Sequence, residues 1–181
     1  MVYRLREWEA GDAARVLEAF GDPELAWQDP EPSTTPDEAA GWIDRRLDLA
    51  REGTAFGFAI VEGDGPPLGH AQVSVTSRAH DLGWVSYWTH AEARGRGVAT
   101  AGALLVSSFA FAELDLFRLE LGHRLNNPGS CLAARRAGYR PEGTERQKLR
   151  YGTERFDTGT HARLATDPVE GVELRACGSR P

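Results

Sequence analysis

The residues best suited to binding a ligand form a glycine-rich bend at residues 94–99 (RGRGVA), between a predicted strand and a predicted amphipathic helix. Glycine lets the backbone turn tightly and leaves no side chain between the main chain and a ligand. The free N–H groups at a helix start, with the positive end of the helix dipole behind them, attract anions. The bend therefore predicts a phosphate or pyrophosphate site, to which Arg94 and Arg96 would add positive charge.

Two other phosphate-binding motifs match this bend less well. A P-loop requires a Lys followed by Ser or Thr, and no such pair closes the bend. A dinucleotide fingerprint would use Gly95 and Gly97 as its first two glycines and Glu120 as the acid that binds the ribose. Against it, position 100 is Thr100 and a long strand-rich segment precedes the bend. A dinucleotide site stays open as an alternative.

A second polar pair begins a later predicted helix. Asn127 precedes Pro128 and suits the N-cap position, and Ser130 falls in the first helical turn. Both residues can serve a purely structural role there. Because an amide and a hydroxyl at a helix start can also bind a ligand, the structural and functional interpretations do not exclude each other.

These motifs together resemble those of the GCN5-related N-acetyltransferase (GNAT) superfamily. Tyr87-Trp88, followed by the Arg-x-x-Gly-x-Ala pattern of residues 94–99, is similar to its acyl-coenzyme A signature. Asn127-x-x-Ser130 and residues 138–143 (GYRPEG) are similar to a later motif, in the serine version of the branch that includes the ribosomal-protein N-terminal acetyltransferases. The opening residues 5–13 (LREWEAGDA) also resemble that branch, and the similarity covers residues 3–166.

The resemblance implies an α+β fold with a central mixed, mostly antiparallel sheet, flanked by helices, whose fourth and fifth strands splay apart. It implies acetyl-coenzyme A as cosubstrate, wedged between those strands. It also implies direct transfer of acetyl to an amine, either a protein N-terminus or a small-molecule amine. No metal is expected. By the same analogy the coenzyme-binding residues are Trp88, Thr89, His90, Arg94, Gly95, Arg96, Gly97, Val98, Ala99, Asn127 and Ser130.

Acetyl transfer needs a neutral amine, a donor for the tetrahedral oxyanion and a proton for the departing thiolate. By analogy, a backbone amide around Trp88 and Thr89 would meet the oxyanion. The side chain of Asn127 would hold the pantetheine arm. Ser130 is the candidate catalytic residue that hydrogen-bonds and protonates the thiolate.

Two positions depart from the pattern of many superfamily members. The slot that often holds a tyrosine acid is Ala134, and a slot that often holds a glutamate is Trp84. The general base is therefore unassigned, with an ordered water and four side chains as options, namely His80, Asp81, His90 and Glu120. The same departures favour a rival function, a non-catalytic sensor or scaffold that binds acyl-coenzyme A.

The acceptor is expected to contact an acidic segment, residues 22–31. Its carboxylates, Glu24 among them, would attract an ammonium group, and Trp27 could make a cation–π contact. Trp84 and Tyr87 are further candidates for lining the acceptor cleft. The alternative is that this segment is a solvated loop anchored by one buried tryptophan, and that the aromatic residues belong to the core.

The periodicity of the chain predicts the elements that position these residues. Residues 3–8 alternate as in a half-buried strand, and apolar spacings of three and four residues predict helices from Asp12, after the N-cap Thr35, and from Val98. Strands are predicted at residues 55–62, 68–76, 83–89 and 117–123. A helix at 127–137 and a final hairpin of strands 145–150 and 160–165 complete the pattern.

The composition of the 181 residues is that of one globular domain, with 41% hydrophobic and 27% charged residues. A net charge of −6 and dispersed arginines argue against nucleic acid as a partner. No apolar stretch predicts a membrane span or a signal peptide, so a cytoplasmic location is expected. The two cysteines suggest no disulfide framework.

We predict a single acetyltransferase domain at residues 1–167 and a frayed tail at residues 168–181. Homodimers occur in the superfamily, and no surface pattern in this sequence argues for one.

Overall fold

A computed structural model describes residues 2–25 and 32–168, which form seven strands and four α-helices. The strands are β1 (Tyr3–Glu7), β2 (Ala55–Glu62), β3 (Gly69–Ser77), β4 (Leu82–Thr89), β5 (Arg118–Arg124), β6 (Arg140–Tyr151) and β7 (Glu154–Leu164). The helices are α1 (Ala13–Phe20), α2 (Pro36–Arg51), α3 (Val98–Glu113) and α4 (Pro128–Arg136). The mixed α and β composition agrees with the predicted fold class.

The strands form one sheet in the order β1-β2-β3-β4-β5-β7-β6. Neighbouring strands are antiparallel except β4 and β5, which run parallel and are paired only from Leu82 to Trp84 on β4 and from Arg118 to Glu120 on β5. Beyond Trp84 and Glu120 these two strands separate while each remains paired with its other neighbour. The prediction of a mostly antiparallel sheet with a splayed fourth and fifth strand is confirmed.

Helices cover both faces of the sheet because successive strand residues alternate between the faces. On β2, Ile60 packs into a core shared with α3 and α4, whereas Ala59 and Val61 pack into the core beneath α1 and α2. Trp8, Trp42 and Trp88 meet in the second core, and the rings of Trp8 and Trp42 stand edge to face with centroids 5.2 Å apart. Burial of their apolar faces thus holds α3 and α4 on one side of the sheet and α1 and α2 on the other.

The predicted helix starts are confirmed in detail. Thr35 caps α2 by accepting the N–H of Glu38, and the Glu38 carboxylate accepts the N–H of Thr35, which completes a capping box. Asn127 caps α4 through its side chain, which accepts the Ser130 N–H. Local hydrogen bonds of this kind need only residues a few positions apart, so the sequence reveals them.

The predicted final hairpin was wrong in its extent. We expected strands at residues 145–150 and 160–165, yet β6 and β7 run from Arg140 to Tyr151 and from Glu154 to Leu164 and are joined by a tight turn. The exposed side chains of β6 carry no alternating apolar pattern. Hydrogen bonding to β7 therefore determines where β6 begins and ends.

No helix among the described residues is long and apolar enough to span a bilayer. The predicted tail at residues 168–181 lies almost entirely outside the described residues, so the proposed domain boundary stays a prediction.

Candidate active site

A cleft with a volume of about 490 Å³ opens where β4 and β5 part. One wall is β4 from Trp84 to Thr89, and the other is β5 from Leu121 to Arg124. The glycine-rich bend and the start of α3 close one end, and α4 covers the side near β5. Because parallel pairing stops after Trp84, main-chain groups of both strands face this gap without a neighbouring strand.

The bend takes the backbone conformation that its glycines predict. Gly95 and Gly97 have φ angles of 75° and 82°, in the left-handed region that favours glycine. Gly97 is the N-cap of α3 and offers no side chain to the first helical turn. The space where a Cβ would stand is open at both glycines. The first N–H groups of α3 are thus accessible to an anion from the cleft.

The two arginines of the bend are held by acidic side chains. The Arg94 guanidinium donates to the Glu24 carboxylate over 2.8 Å and to Asp22, both in the segment after α1. Arg96 donates to Glu62 at the end of β2, also over 2.8 Å. These partners offset the positive charge that the sequence attributed to the bend. The anion-binding capacity of the bend therefore rests mainly on main-chain N–H groups.

A second polar cluster lies across the cleft at the start of α4. The Ser130 N–H donates to Asn127 Oδ1 over 3.0 Å, which confirms the structural interpretation of this pair. The Tyr87 hydroxyl lies 3.1 Å from both the carbonyl oxygen and the Oγ of Ser130. The carbonyl can only accept, so it takes the Tyr87 hydrogen, and the Ser130 hydroxyl can then donate to the phenol oxygen or to a ligand.

The environment of Tyr87 keeps its phenol protonated. Burial raises the pKa of Tyr87 above its ordinary value, and the hydrogen bond with Ser130 offsets only part of that effect. A neutral phenol beside Ser130 can supply a hydrogen bond or a proton at physiological pH. Its side chain lies on the face of β4 that packs against α3 and α4.

Most of the residues singled out in the sequence meet at this cleft. The lining includes twelve of them: Glu24, Trp84, Tyr87, Trp88, Thr89, Arg94, Gly95, Gly97, Val98, Ala99, Asn127 and Ser130. Arg96 and His90 do not line it, since Arg96 pairs with Glu62 and the His90 N–H donates to the Leu68 carbonyl. Trp27 lies outside the described residues.

None of the four side chains considered as general base lines the cleft. His80 and Asp81 lie in the exposed turn before β4, and Glu120 pairs with Arg118. Burial and the nearby Arg15 lower the pKa of His90 to about 4, so its imidazole is neutral at physiological pH. These placements leave an ordered water as the remaining option from the sequence analysis.

Several lining residues were missed by the sequence analysis. Arg124, Arg136, Leu149 and Tyr151 reach the cleft from β5, α4 and β6. The Arg124 guanidinium lies 4.8 Å from the centre of the Tyr151 ring, so the β6–β7 hairpin supports the wall at β5. The sequence pattern did not indicate the two residues on β6, because that strand has no alternation of apolar side chains and the hairpin was predicted too short.

The arrangement excludes a dinucleotide-binding fold. That fold is an open, mostly parallel sheet with helices at a switch point, whereas here only β4 and β5 are parallel. Glu120, the proposed ribose ligand, is turned to Arg118 instead.

A family model described as "Acetyltransferase (GNAT) domain" matches residues 3–140. Probable N-acetyltransferase YjcK of Bacillus subtilis (strain 168) is 33% identical over 67 residues, which cover 37% of this chain and 37% of that relative. The match thus spans little more than a third of the length of the curated relative.

Solved structures support the same fold over nearly the whole chain. Mycobacterium smegmatis RimJ, in complex with CoA-disulfide, is 25% identical with a TM-score of 0.78 and covers 91% of this chain and 82% of its own. The ribosomal-protein-S5-alanine acetyltransferase from Vibrio fischeri is 21% identical with a TM-score of 0.80, covering 91% of this chain and 94% of its own. At its lower identity the second likeness shows the fold alone.

Proposed function

Because this chain belongs to the GNAT acetyltransferase family, we propose that it is an acetyl-coenzyme A-dependent N-acetyltransferase acting on a primary amine. The acceptor is a protein N-terminus or a small-molecule amine, and the acetyl group passes to it directly. The observation that carries the proposal is the gap between β4 and β5. At one end of the gap α3 begins without a side-chain cap, and the Tyr87–Ser130 pair lies beside it.

The pyrophosphate of the cosubstrate is held at the bend. Residues 98–100 begin α3 with accessible N–H groups, and the helix dipole adds to their attraction for an anion. Arg94 and Arg96 shape the bend through their carboxylate partners and contribute less charge than isolated arginines would. This placement directs the pantetheine arm along the gap toward α4, where Asn127 lines the cleft.

The main chain of β4 supplies the oxyanion donor. The His90 N–H donates to the Leu68 carbonyl on the β3 side. Hydrogen-bonding direction alternates along a strand, so Trp88 faces β3 as well, and the main-chain groups of Tyr87 and Thr89 face the gap. We assign the Thr89 N–H as the donor that meets the oxyanion, and the Trp88 main chain as part of the wall behind it.

Ser130 and Tyr87 act on the leaving group. As the amine nitrogen bonds to the acetyl carbon and the carbon–sulfur bond breaks, the thiolate gains the Ser130 hydroxyl proton. Tyr87, which is neutral and 3.1 Å from Ser130 Oγ, turns its hydrogen from the Ser130 carbonyl to stabilise the serine oxygen, and the proton that the amine releases to water restores the serine hydroxyl. Tyr87 thus supplies a phenol to the cleft, whereas Ala134, in the slot where a tyrosine was sought, is a buried alanine.

The acceptor enters from the face of the sheet near α1. Trp84 lines that part of the cleft, and Glu24 is the one carboxylate among the described lining residues. Glu24 already pairs with Arg94, which offsets much of its negative charge. Its carboxylate therefore orients a bound ammonium group and adds little long-range attraction for it. An ordered water removes the proton of the amine. A contact from Trp27 stays a prediction.

The direct test is release of free thiol from acetyl-coenzyme A across a panel of amines. The panel holds peptides with a free N-terminus, the same peptides with the N-terminus blocked, and small polyamines and aminosugars. We expect amine-dependent release with one of the unblocked classes. Tight acetyl-coenzyme A binding without release for any class would contradict catalysis and support the sensor function.

Removal of one hydroxyl tests the role of Tyr87. In Tyr87→Phe we expect kcat to fall roughly 10-fold, less than the roughly 100- to 10,000-fold of a direct general acid, because Tyr87 acts through Ser130. KM for acetyl-coenzyme A should stay unchanged. Tyr139→Phe is the matched control, because the Tyr139 hydroxyl is also buried against a serine, Ser107, but away from the cleft. Steady-state kinetics of both variants decide the assignment, and an unchanged kcat in Tyr87→Phe would remove Tyr87 from the mechanism.

A further inference from the structure

Two histidines and a cysteine converge beneath α4. The side-chain ligand atoms of His123, Cys131 and His161 all lie within 4.8 Å of one another. His123 is on β5, His161 on β7 and Cys131 on α4, so three separate elements contribute one atom each. The cluster was not expected from the sequence, which predicted no metal site.

The sheet register brings the two imidazoles together. His123 is paired with Gly159 and His161 with Leu121, which makes the histidines diagonal neighbours on one face of β5 and β7. Their ring centroids are 5.0 Å apart. Because Gly159 has no Cβ, the Nε2 edge of His123 can lie over it; an added Cβ would stand 3.4 Å from that nitrogen.

The buried ring nitrogens have unused bonding capacity. His123 is 6% exposed and His161 is 3% exposed. The Nε2 of His123 and both ring nitrogens of His161 have no partner at good hydrogen-bond geometry among the described residues, although the Gly159 main chain lies close to the His161 ring. Buried polar atoms are almost always paired with protein or with an ordered ligand or water, so three such nitrogens in one place favour a bound group between them.

His123 is already oriented as a metal ligand would be. Its Nδ1 lies 2.9 Å from the Arg124 carbonyl oxygen. That oxygen can only accept, so Nδ1 carries the hydrogen and Nε2 presents its lone pair to the cluster. A ring N–H donated to a backbone carbonyl is the usual support for a histidine that binds a metal.

We propose that His123, Cys131 and His161 form a binding site for a divalent transition metal, with Zn²⁺ as the fitting ion. Imidazole nitrogen and thiolate sulfur are the donors that Zn²⁺ prefers, and its tetrahedral geometry takes three protein atoms and one water. The bound ion ties α4 to β5 and β7. It thereby holds the helix whose first turn carries Ser130.

The test uses the full chain, freed of metal with a chelator and kept reduced with a phosphine that offers no thiol. Co²⁺ replaces Zn²⁺ in such sites and reports a thiolate ligand by a charge-transfer band in the near ultraviolet. We expect one equivalent of Co²⁺ to produce this band, Zn²⁺ to abolish it, and Zn²⁺ to raise the melting temperature. Absence of the band and of the shift in melting temperature would overturn the proposal.

Variants identify the ligands. Cys131→Ser should remove the band, and His161→Gln should weaken Co²⁺ binding at least about 100-fold, beyond the 10- to 100-fold of a lost supporting contact. Cys177→Ser, whose thiol lies outside the described residues, and His80→Gln, an exposed histidine, should retain the band. If His161→Gln does not fold, Cys131→Ser decides alone, and a band that survives it places the thiolate elsewhere and refutes the site.

Discussion

Replacing Gly97 by valine raises KM for acetyl-coenzyme A roughly 100-fold. Gly97 holds a φ of 82° at the N-cap of α3, and a β-branched residue there costs about 1–3 kcal/mol of strain. The strain is relieved by turning the peptide, which misaligns the first N–H groups of the helix. Hydrogen bonds to charged groups contribute about 1.5–3 kcal/mol each, and each 1.4 kcal/mol is tenfold in affinity.

The control for Gly97→Val is Gly53→Val. Gly53 follows α2 with a φ of 71° and, like Gly97, has no atom within 4 Å of the space for a Cβ. Both variants should lose similar thermal stability because both carry the same backbone strain. Only Gly97→Val should raise KM for acetyl-coenzyme A in steady-state kinetics and weaken coenzyme A binding in calorimetric titration. Equal KM values in the two variants would show that the bend does not bind the coenzyme.

Removing the hydroxyl of Ser130 lowers kcat roughly 100-fold, in the range by which a positioned proton donor accelerates reactions. The substitution Ser130→Ala should leave the local structure intact. Asn127 caps α4 through the main-chain N–H of Ser130, and Tyr87 contacts its main-chain carbonyl, so alanine keeps both contacts. The melting temperature and KM for acetyl-coenzyme A should therefore stay close to those of the parent chain.

Ser108→Ala is the matched control, because Ser108 is a half-buried helical serine on α3 that does not line the cleft. Its kcat should equal that of the parent. Acyl thioesters of different thiols give a second test. Without a proton donor the departing sulfur carries more negative charge, so the rate of Ser130→Ala should depend more steeply on the pKa of the leaving thiol. A kcat within twofold of the parent would exclude Ser130 as the proton donor.

Local rules account for what the sequence predicted correctly. β2 runs from Ala55 to Glu62 as expected, and the capping pattern at Thr35 marked the start of α2. The left-handed glycines of the bend follow from the steric freedom of that residue. Each of these features depends on atoms only a few residues apart, which is why composition and spacing reveal them.

The extent of β6 shows where such rules end. Its exposed side chains give no alternation, and its length depends on pairing with β7 and on a tight turn. The lining residues Leu149 and Tyr151 reach the cleft only because of that pairing. A strand without a buried face has no local signature.

The sequence by itself determined the order of the elements, the helix caps and the glycine bend, because short-range hydrogen bonding and sterics decide them. Tertiary structure alone placed the Tyr87 hydroxyl against Ser130, set Glu24 against Arg94, and gathered His123 with His161. These partners are distant along the chain. Their contacts arise from sheet register and from the packing of helices on the two faces, which no spacing within one segment encodes.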